Sequence, residues 1–252
     1  MNDHLSIKES NRFLIIVTGF NCEQYIDRCY NSLLKQKCEW IVVFIDDEST
    51  DQTWNKMRLI EDHRVTIIRN ERNIGAAASR LLAAKFGQDN DIIVLLGMDD
   101  ALLPNALERI DKEYRNGKWC TYGNWVDHMG KGLPRDFELD FDDETHEKRD
   151  YRKVKYRSTA ANTMRKWLFD LIPEDEYKVN GQWMKATTES HLMFSCLEMS
   201  GKERIGVIKD RIYMYQRGRK DNARNRFGSE YQDMIYRNVV SMPKKKQITN
   251  RP

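Results

Sequence analysis

Two short acidic runs are the residues of this chain best suited to chemistry. The first run is Asp46-Asp47-Glu48-Ser49-Thr50-Asp51 and the second is Asp99-Asp100. Each follows an apolar stretch of strand composition, residues 40–45 and 92–96, and Thr18-Gly19-Phe20-Asn21 follows a third, residues 13–17. Carboxylates gathered at one place repel, so they need a cation or hydrogen-bond donors to stay ionised. A hard divalent ion that shares its shell with substrate phosphates supplies that. Either run alone also suits a plain strand-to-helix turn; their order and spacing together point further.

The elements that must position these groups alternate. Residues 13–18, 40–45, 65–68, 92–96 and 119–126 read as strands by length and β-branched or aromatic content. Between them, helical spacing of apolar residues marks helices at 25–34, 54–60 and 76–86, and another after Pro104 that runs to Tyr114, with Pro104 in its first turn. Alternation of this kind predicts β-α-β units and an α/β sheet, mostly parallel, with helices on both faces. In such sheets ligands bind outside the carboxyl ends of the strands, which is where all three segments fall. Residues 136–150 hold eight carboxylates and few large aliphatics, so they read as a mobile, solvated excursion. Beyond it, 160–171, 187–199 and 231–240 read as helices, and 205–208 and 211–215 as two strands.

In order and spacing these motifs resemble the inverting glycosyltransferases of family 2, which have the GT-A fold. Thr18, Phe20-Asn21 and Ser32-Leu33-Leu34-Lys35-Gln36 match the family's opening. Asp46 to Asp51 with Gln52-Thr53 match its second strand end, Asn73-Ile74-Gly75 and Arg80 its next motif, and Asp99-Asp100 its metal motif. Many members carry a further Asp where this chain has Gly97. The resemblance implies roles. Thr18 and Phe20 border the nucleotide base, and Asp47 accepts a hydrogen bond from a uracil-type ring nitrogen. Asn73, Gly75 and Arg80 lie near the nucleotide-sugar. Asp99 faces the ribose or the metal, and Asp100 ligates Mn²⁺ or Mg²⁺. Glu189 stands where the family has its general base, in a departed motif, Thr188-Glu189-Ser190-His191-Leu192. Arg217 and Arg219 would grip the diphosphate, and Trp183 with His191 would border the acceptor.

The implied reaction is a single displacement with inversion, from a nucleotide-diphosphate sugar (UDP favoured) to a hydroxyl acceptor. A glycan acceptor is favoured, and a modified nucleic acid is the other class. The implied organisation is a tail at 1–11, a nucleotide-sugar-binding half at 12–128, the excursion at 129–150, an acceptor-binding half at 151–241 and a basic tail at 242–252.

Composition sets the frame around this reading. The chain has 252 residues, 40% hydrophobic and 32% charged, a globular balance. Its apolar runs of about five residues are too short to cross a bilayer, and residues 1–10 lack the apolar core of a signal peptide. Five cysteines without a CxxC pair argue against a disulfide framework or zinc cluster and fit a reducing, cytoplasmic setting. The net charge of +3 conceals +8 over residues 211–252 and −5 over the rest. A basic C-terminal segment suggests an anionic partner or, more plainly, a solvated tail. Two other classes therefore stand beside the transferase: a non-catalytic nucleic-acid binder using that segment, and a nucleotidyltransferase. The latter would want a Gly-rich, basic phosphate loop after the first strand, and Gly19-Phe20-Asn21-Cys22 is not one.

Overall fold

The computed structural model of the protein describes residues 11–134 and 137–251. Its first half is built as the alternation predicts: β1 (Arg12–Gly19), α1 (Ile26–Leu34), β2 (Glu39–Asp46), α2 (Thr53–Met57), β3 (Val65–Arg69), α3 (Gly75–Ala84) and β4 (Ile92–Gly97). The four strands lie parallel in the order β3-β2-β1-β4. Side chains of β1 alternate between two cores. Phe13, Ile15 and Val17 pack with Ile26, Cys29 and Leu33 of α1. Leu14 and Ile16 pack on the other face with Ala77 and Ala83 of α3. Burial on both faces is why this strand reads as a continuous apolar run.

The second half extends the sheet. After β5 (Ala101–Leu102) and α4 (Ala106–Arg115) comes β6 (Cys120–Asp127). Pro104 sits just ahead of α4, whose N-cap is Asn105 in the left-handed region. Later elements are α5 (Asp143–Lys148), β7 (Thr163–Arg165), α6 (Lys166–Asp170), the small hairpin β8 (Lys178–Val179) and β9 (Gln182–Trp183), and α7 (Thr188–Ser200). The chain closes with β10 (Ile205–Tyr215), α8 (Ala223–Phe227) and α9 (Ser229–Ser241). The full sheet order is β3-β2-β1-β4-β7-β6-β10-β5.

Four expectations are corrected here. Residues 160–171 are helical only over Lys166–Asp170, because Thr163–Arg165 form β7, antiparallel to both β4 and β6. The Thr163 hydroxyl there meets Tyr114 Oη at 2.8 Å and Thr121 Oγ1 at 2.7 Å, contacts a helix would forfeit. The two strands expected at 205–215 are one, β10, bent by register shifts around Arg211. The acidic excursion is solvated at its carboxylates, with Asp142, Asp143, Glu144 and Glu147 exposed, but is anchored by buried side chains between them, although Asp136 lies outside the described residues. Phe141, Thr145, His146 and Tyr151 are buried, and His146 bridges Tyr151 Oη and Asp140 Oδ1, each at 3.0 Å. The basic tail is likewise docked. Lys244 and Lys245 pair with Asp150 and Glu176, and the Ile248 amide donates to the Met199 carbonyl at 2.9 Å. The tail expected at 1–11 lies outside the described residues except for Asn11. Among the described residues no helix is long and apolar enough to cross a membrane.

Candidate active site

The carboxyl ends of β1 and β2 are stitched into one rigid rim. The Asn21 amide donates to Ser49 Oγ at 2.8 Å, the Thr50 amide to Asn21 Oδ1 at 2.9 Å, and the Cys22 amide to Thr53 Oγ1 at 2.7 Å. Asp51 accepts from the Thr53 and Glu23 amides, and Asp46 from the Ser49 amide. Asp46 and Asp51 thus shape the turn. Asp47 is buried and faces the start of α3. Its carboxylate accepts from the amides of Ile74 and Gly75 at 3.0 and 2.9 Å and from Asn70 Nδ2 at 2.8 Å. Negative charge there also suits the positive end of the helix. Asn73 Nδ2 donates to the Asp47 carbonyl at 2.7 Å, which closes the turn. Gly75, at φ +84°, lets the chain enter the helix beside Lys185.

Asp99 and Asp100 follow β4. Asp100 is buried; it accepts from Tyr213 Oη at 2.5 Å and from the Gln216 amide at 2.7 Å. Burial first, and the neighbouring Asp99 second, push its carboxyl well above the usual range. Asp99 pairs with Arg219 at 2.9 Å. Gly97 explains its own identity: a Cβ there would lie 2.7 Å from Asp100 Oδ2 and 2.8 Å from Asp99 Oδ1. Both carboxylates therefore converge on a small hollow that the missing side chain leaves. Two carboxylates, with no cluster of three or more ligating side chains among the described residues, fit a hard ion that completes its shell with phosphate oxygens and water.

Arg80, buried on α3, reaches across to α7. It donates to Thr188 Oγ1 at 2.6 Å and pairs with Glu189 Oε1. The sequence places both near the reaction, and the structure joins them directly. Two cavities meet at Glu189. One, about 280 Å³, runs past Thr18, Phe20, Asp47, Asn73 and Asp99. The other, about 310 Å³, lies beneath Trp125, Tyr156 and Ser158. Asp100, Glu189, Tyr213 and Tyr215 line both. The Ser158 hydroxyl, fully buried in the wall of the second cavity, has no hydrogen-bond partner among the described residues.

Several residues stand elsewhere than expected. Arg219 borders the first cavity, but its guanidinium is already engaged by Asp99 and by the carbonyls of Phe20 and Asn21, at 2.7 and 2.9 Å. In this arrangement it fastens the late loop to the rim. Arg217 points away, pairing with Asp127 at 3.3 Å and lying over Trp125. Trp183 lies on the far side of α3, beside Ile74 and Leu81, outside both cavities. His191 is wholly buried, its ring edge-on to Tyr177, so it meets no acceptor. Its place on the inward face of α7, between Leu192 and Ser190, carries no signal that separates it from a rim residue.

The sequence reading also missed residues. Arg226 of α8 lies 3.8 Å above the Phe20 ring centroid, and Lys185 and Phe227 border the same cavity. Tyr213 and Tyr215 end β10, and only the strand-end rule that located the acidic runs could have flagged them.

A mostly parallel sheet ordered 3-2-1-4, with acidic runs closing strands beside a nucleotide-sized cleft, defines the GT-A class of α/β folds. Residues 14–171 match the family model described as Glycosyl transferase family 2, and the chain belongs to that family. The glucosyltransferase WfgD of Escherichia coli, described as UDP-Glc:alpha-D-GlcNAc-diphosphoundecaprenol beta-1,3-glucosyltransferase, is 34% identical over 113 residues, 44% of each chain. The poly(ribitol-phosphate) beta-N-acetylglucosaminyltransferase TarS of Staphylococcus aureus is 31% identical over 104 residues, 38% of this chain and 18% of that one. A crystal structure of TarS residues 1–349 in complex with UDP-GlcNAc superposes with a TM-score of 0.63 at 20% identity. That match covers 84% of this chain and 60% of the other. The matched segment spans less than half the length of both curated relatives.

Proposed function

We propose that this chain transfers a sugar from a UDP-sugar to a hydroxyl, with inversion and with Mn²⁺ or Mg²⁺ bound. The observation that carries the reading is the junction of two cavities at Glu189 and Asp100. The donor would occupy the cavity bounded by Phe20 and Asp47, its diphosphate facing Asp99 and Asp100. The relatives named for UDP-glucose and crystallised with UDP-GlcNAc support a uridine donor. The Asp99–Asp100 pair would hold the metal, which when bound supplies charge stabilisation to the leaving diphosphate.

The acceptor hydroxyl would enter from the Trp125–Tyr156 side. As its oxygen bonds to the anomeric carbon, the bond from that carbon to the diphosphate oxygen breaks, and Glu189 takes the hydroxyl proton. Arg80 holds the Glu189 carboxylate in place for this task. None of the residues lining the acceptor-side cavity is Lys or Arg, which favours an uncharged polyol or sugar end over a nucleic acid. Of the eleven cations in the basic C-terminal segment, Arg217, Arg219, Lys244 and Lys245 are committed to carboxylates of the chain itself, which reduces the charge that segment could offer a nucleic acid.

The test is a donor panel read as released nucleotide, with and without Mn²⁺, on wild type and Glu189→Gln. Glu189→Gln should keep donor affinity near wild type while transfer falls roughly 10²–10⁴-fold, the usual worth of a positioned base. Transfer at the wild-type rate would remove Glu189 from the reaction.

A further inference from the structure

The opposite, amino edge of the sheet holds a second concavity that the transfer reaction does not use. It is about 740 Å³ in volume, within the range of ligand pockets. The start of β1 and β2, the approaches to β4, β6 and β10, and the end of antiparallel β7 all open onto it, through Arg12, Glu39, Asp91, Trp119, Arg204 and Arg165.

Its charge is one-sided. Arg12 is neutralised by Asp91, bonded at 2.9 and 2.8 Å. Lys118, Arg165, Arg204 and Arg251 have no carboxylate within ion-pairing distance among the described residues, whereas Glu39 alone adds a further negative charge to the lining. Their polar contacts are to neutral groups. Lys118 donates to the Glu203 carbonyl, Arg204 to the Gly117 carbonyl, Arg165 to Asn11 Oδ1 and the Asn90 carbonyl, and Arg251 to Asn90 Oδ1.

Aromatic rings fix the cations. Arg204 lies 5.1 Å from the Trp119 ring centroid and Arg165 4.8 Å from that of Tyr114. Trp119 in turn meets Trp167 edge to face at 5.0 Å. A guanidinium stacked by its face on a ring keeps its N–H edge for an acceptor in its own plane, and phosphate oxygens match that edge two at a time. Arg165 is also substantially desolvated beside Arg251, and both effects lower its pKa. Gathering unpaired cations in a concave wall has a cost that a bound anion offsets.

We infer that this amino-edge concavity binds a phosphate-bearing ligand carrying two or more negative charges, a diphosphate or the phosphate of a larger molecule. Lys118, Arg204, Arg165 and Arg251 supply the charge, and Trp119 and Trp167 form the wall. The site is separate from the donor cleft and does not depend on the reading of it.

The experiment compares wild type with the double variant Lys118→Gln/Arg204→Gln. Lys118 hydrogen-bonds to one backbone carbonyl, and Arg204 to another while lying over Trp119; neither is buried, so the fold should persist, as circular dichroism would verify. Arg251→Gln is a second variant should it not. Pyrophosphate is titrated by calorimetry and by tryptophan fluorescence. Any pyrophosphate taken up in the donor cleft is common to both proteins and cancels. Affinity at least tenfold weaker in the double variant, with a steep salt dependence in wild type, is the expected result. A second arm uses vesicles of phosphatidylcholine with and without phosphatidylglycerol. Retention on the anionic vesicles alone, lost in the double variant, would identify a lipid headgroup as the source of the phosphate. Equal pyrophosphate affinity in both proteins, or no uptake of either probe by wild type, would overturn the site.

Discussion

Asp47 illustrates how one carboxylate serves fold and site together. The resemblance assigns it to a nucleotide base, yet three donors of the chain already meet it at the start of α3. Asp47→Ala should therefore lower unfolding free energy by about 1–3 kcal/mol, the cost of leaving buried donors unpaired. UDP affinity should fall with it, checked by calorimetry well below the melting temperature. A loss of affinity without loss of stability would mean that the helix does not need the cap. His191 yields a pH prediction of its own. Burial, then Arg152 and Lys245, hold its pKa down to about 3; the Glu176 carboxylate, at 4.0 Å, is too far to hydrogen-bond. The unfolded chain binds this proton near pH 6.5 and the folded chain refuses it. Stability from this residue is thus complete above about pH 6.5. It should fall by about 1.4 kcal/mol per pH unit as pH drops toward the folded value. In His191→Leu that slope should disappear from denaturation curves taken between pH 6.5 and 4.

At the scale of elements, the turn just after the excursion, α7 and the tail are joined by one buried ion pair. Arg152 binds Glu198 through two bonds, at 2.7 and 3.1 Å, and donates to the Val239 carbonyl, while the Lys245 amide also bonds to Glu198. Arg152→Ala strands a carboxylate that is 1% exposed. The expected loss is about 3–5 kcal/mol of stability, read by urea denaturation, and Arg152→Lys should recover only part of it. The sequence showed none of this. It showed β1 to β4 and their helices, since strands buried on both faces and amphipathic helices leave strong periodic marks. It hid β7, because three residues are too few for a period and their pairing partners, β4 and β6, lie 71 and 42 residues away at Ile93 and Thr121. The site was legible wherever a residue ends a strand. Arg226 and Lys185 were not, because they reach the cleft from α8 and from the segment before α7, whose placement is tertiary.

Over the whole molecule, the uneven charge has a structural destination. The acidic body and basic C-terminal segment meet in the same chain, through Lys244 with Asp150, Lys245 with Glu176, Arg219 with Asp99 and Arg217 with Asp127. A run of like charge in sequence is a poor guide to free charge, because folding decides which cations face acids. Four cations without an ion-paired acid among the described residues, Lys118, Arg165, Arg204 and Arg251, meet at the amino edge from positions that no local pattern connects.

The hollow left by Gly97 bears on how this chain can change. A family alignment would rank Gly97→Asp as a return to the common pattern, and therefore as a safe or improving step. The surrounding atoms say otherwise, because even the first carbon of a side chain would strike both carboxylates, and a third negative charge would join two that already repel. Gly97→Asp should lower nucleotide-sugar turnover and melting temperature alike, and Gly97→Ala should do so less. The common residue can return here only after its neighbours have moved, so the order in which substitutions arrive is constrained by the space they would share.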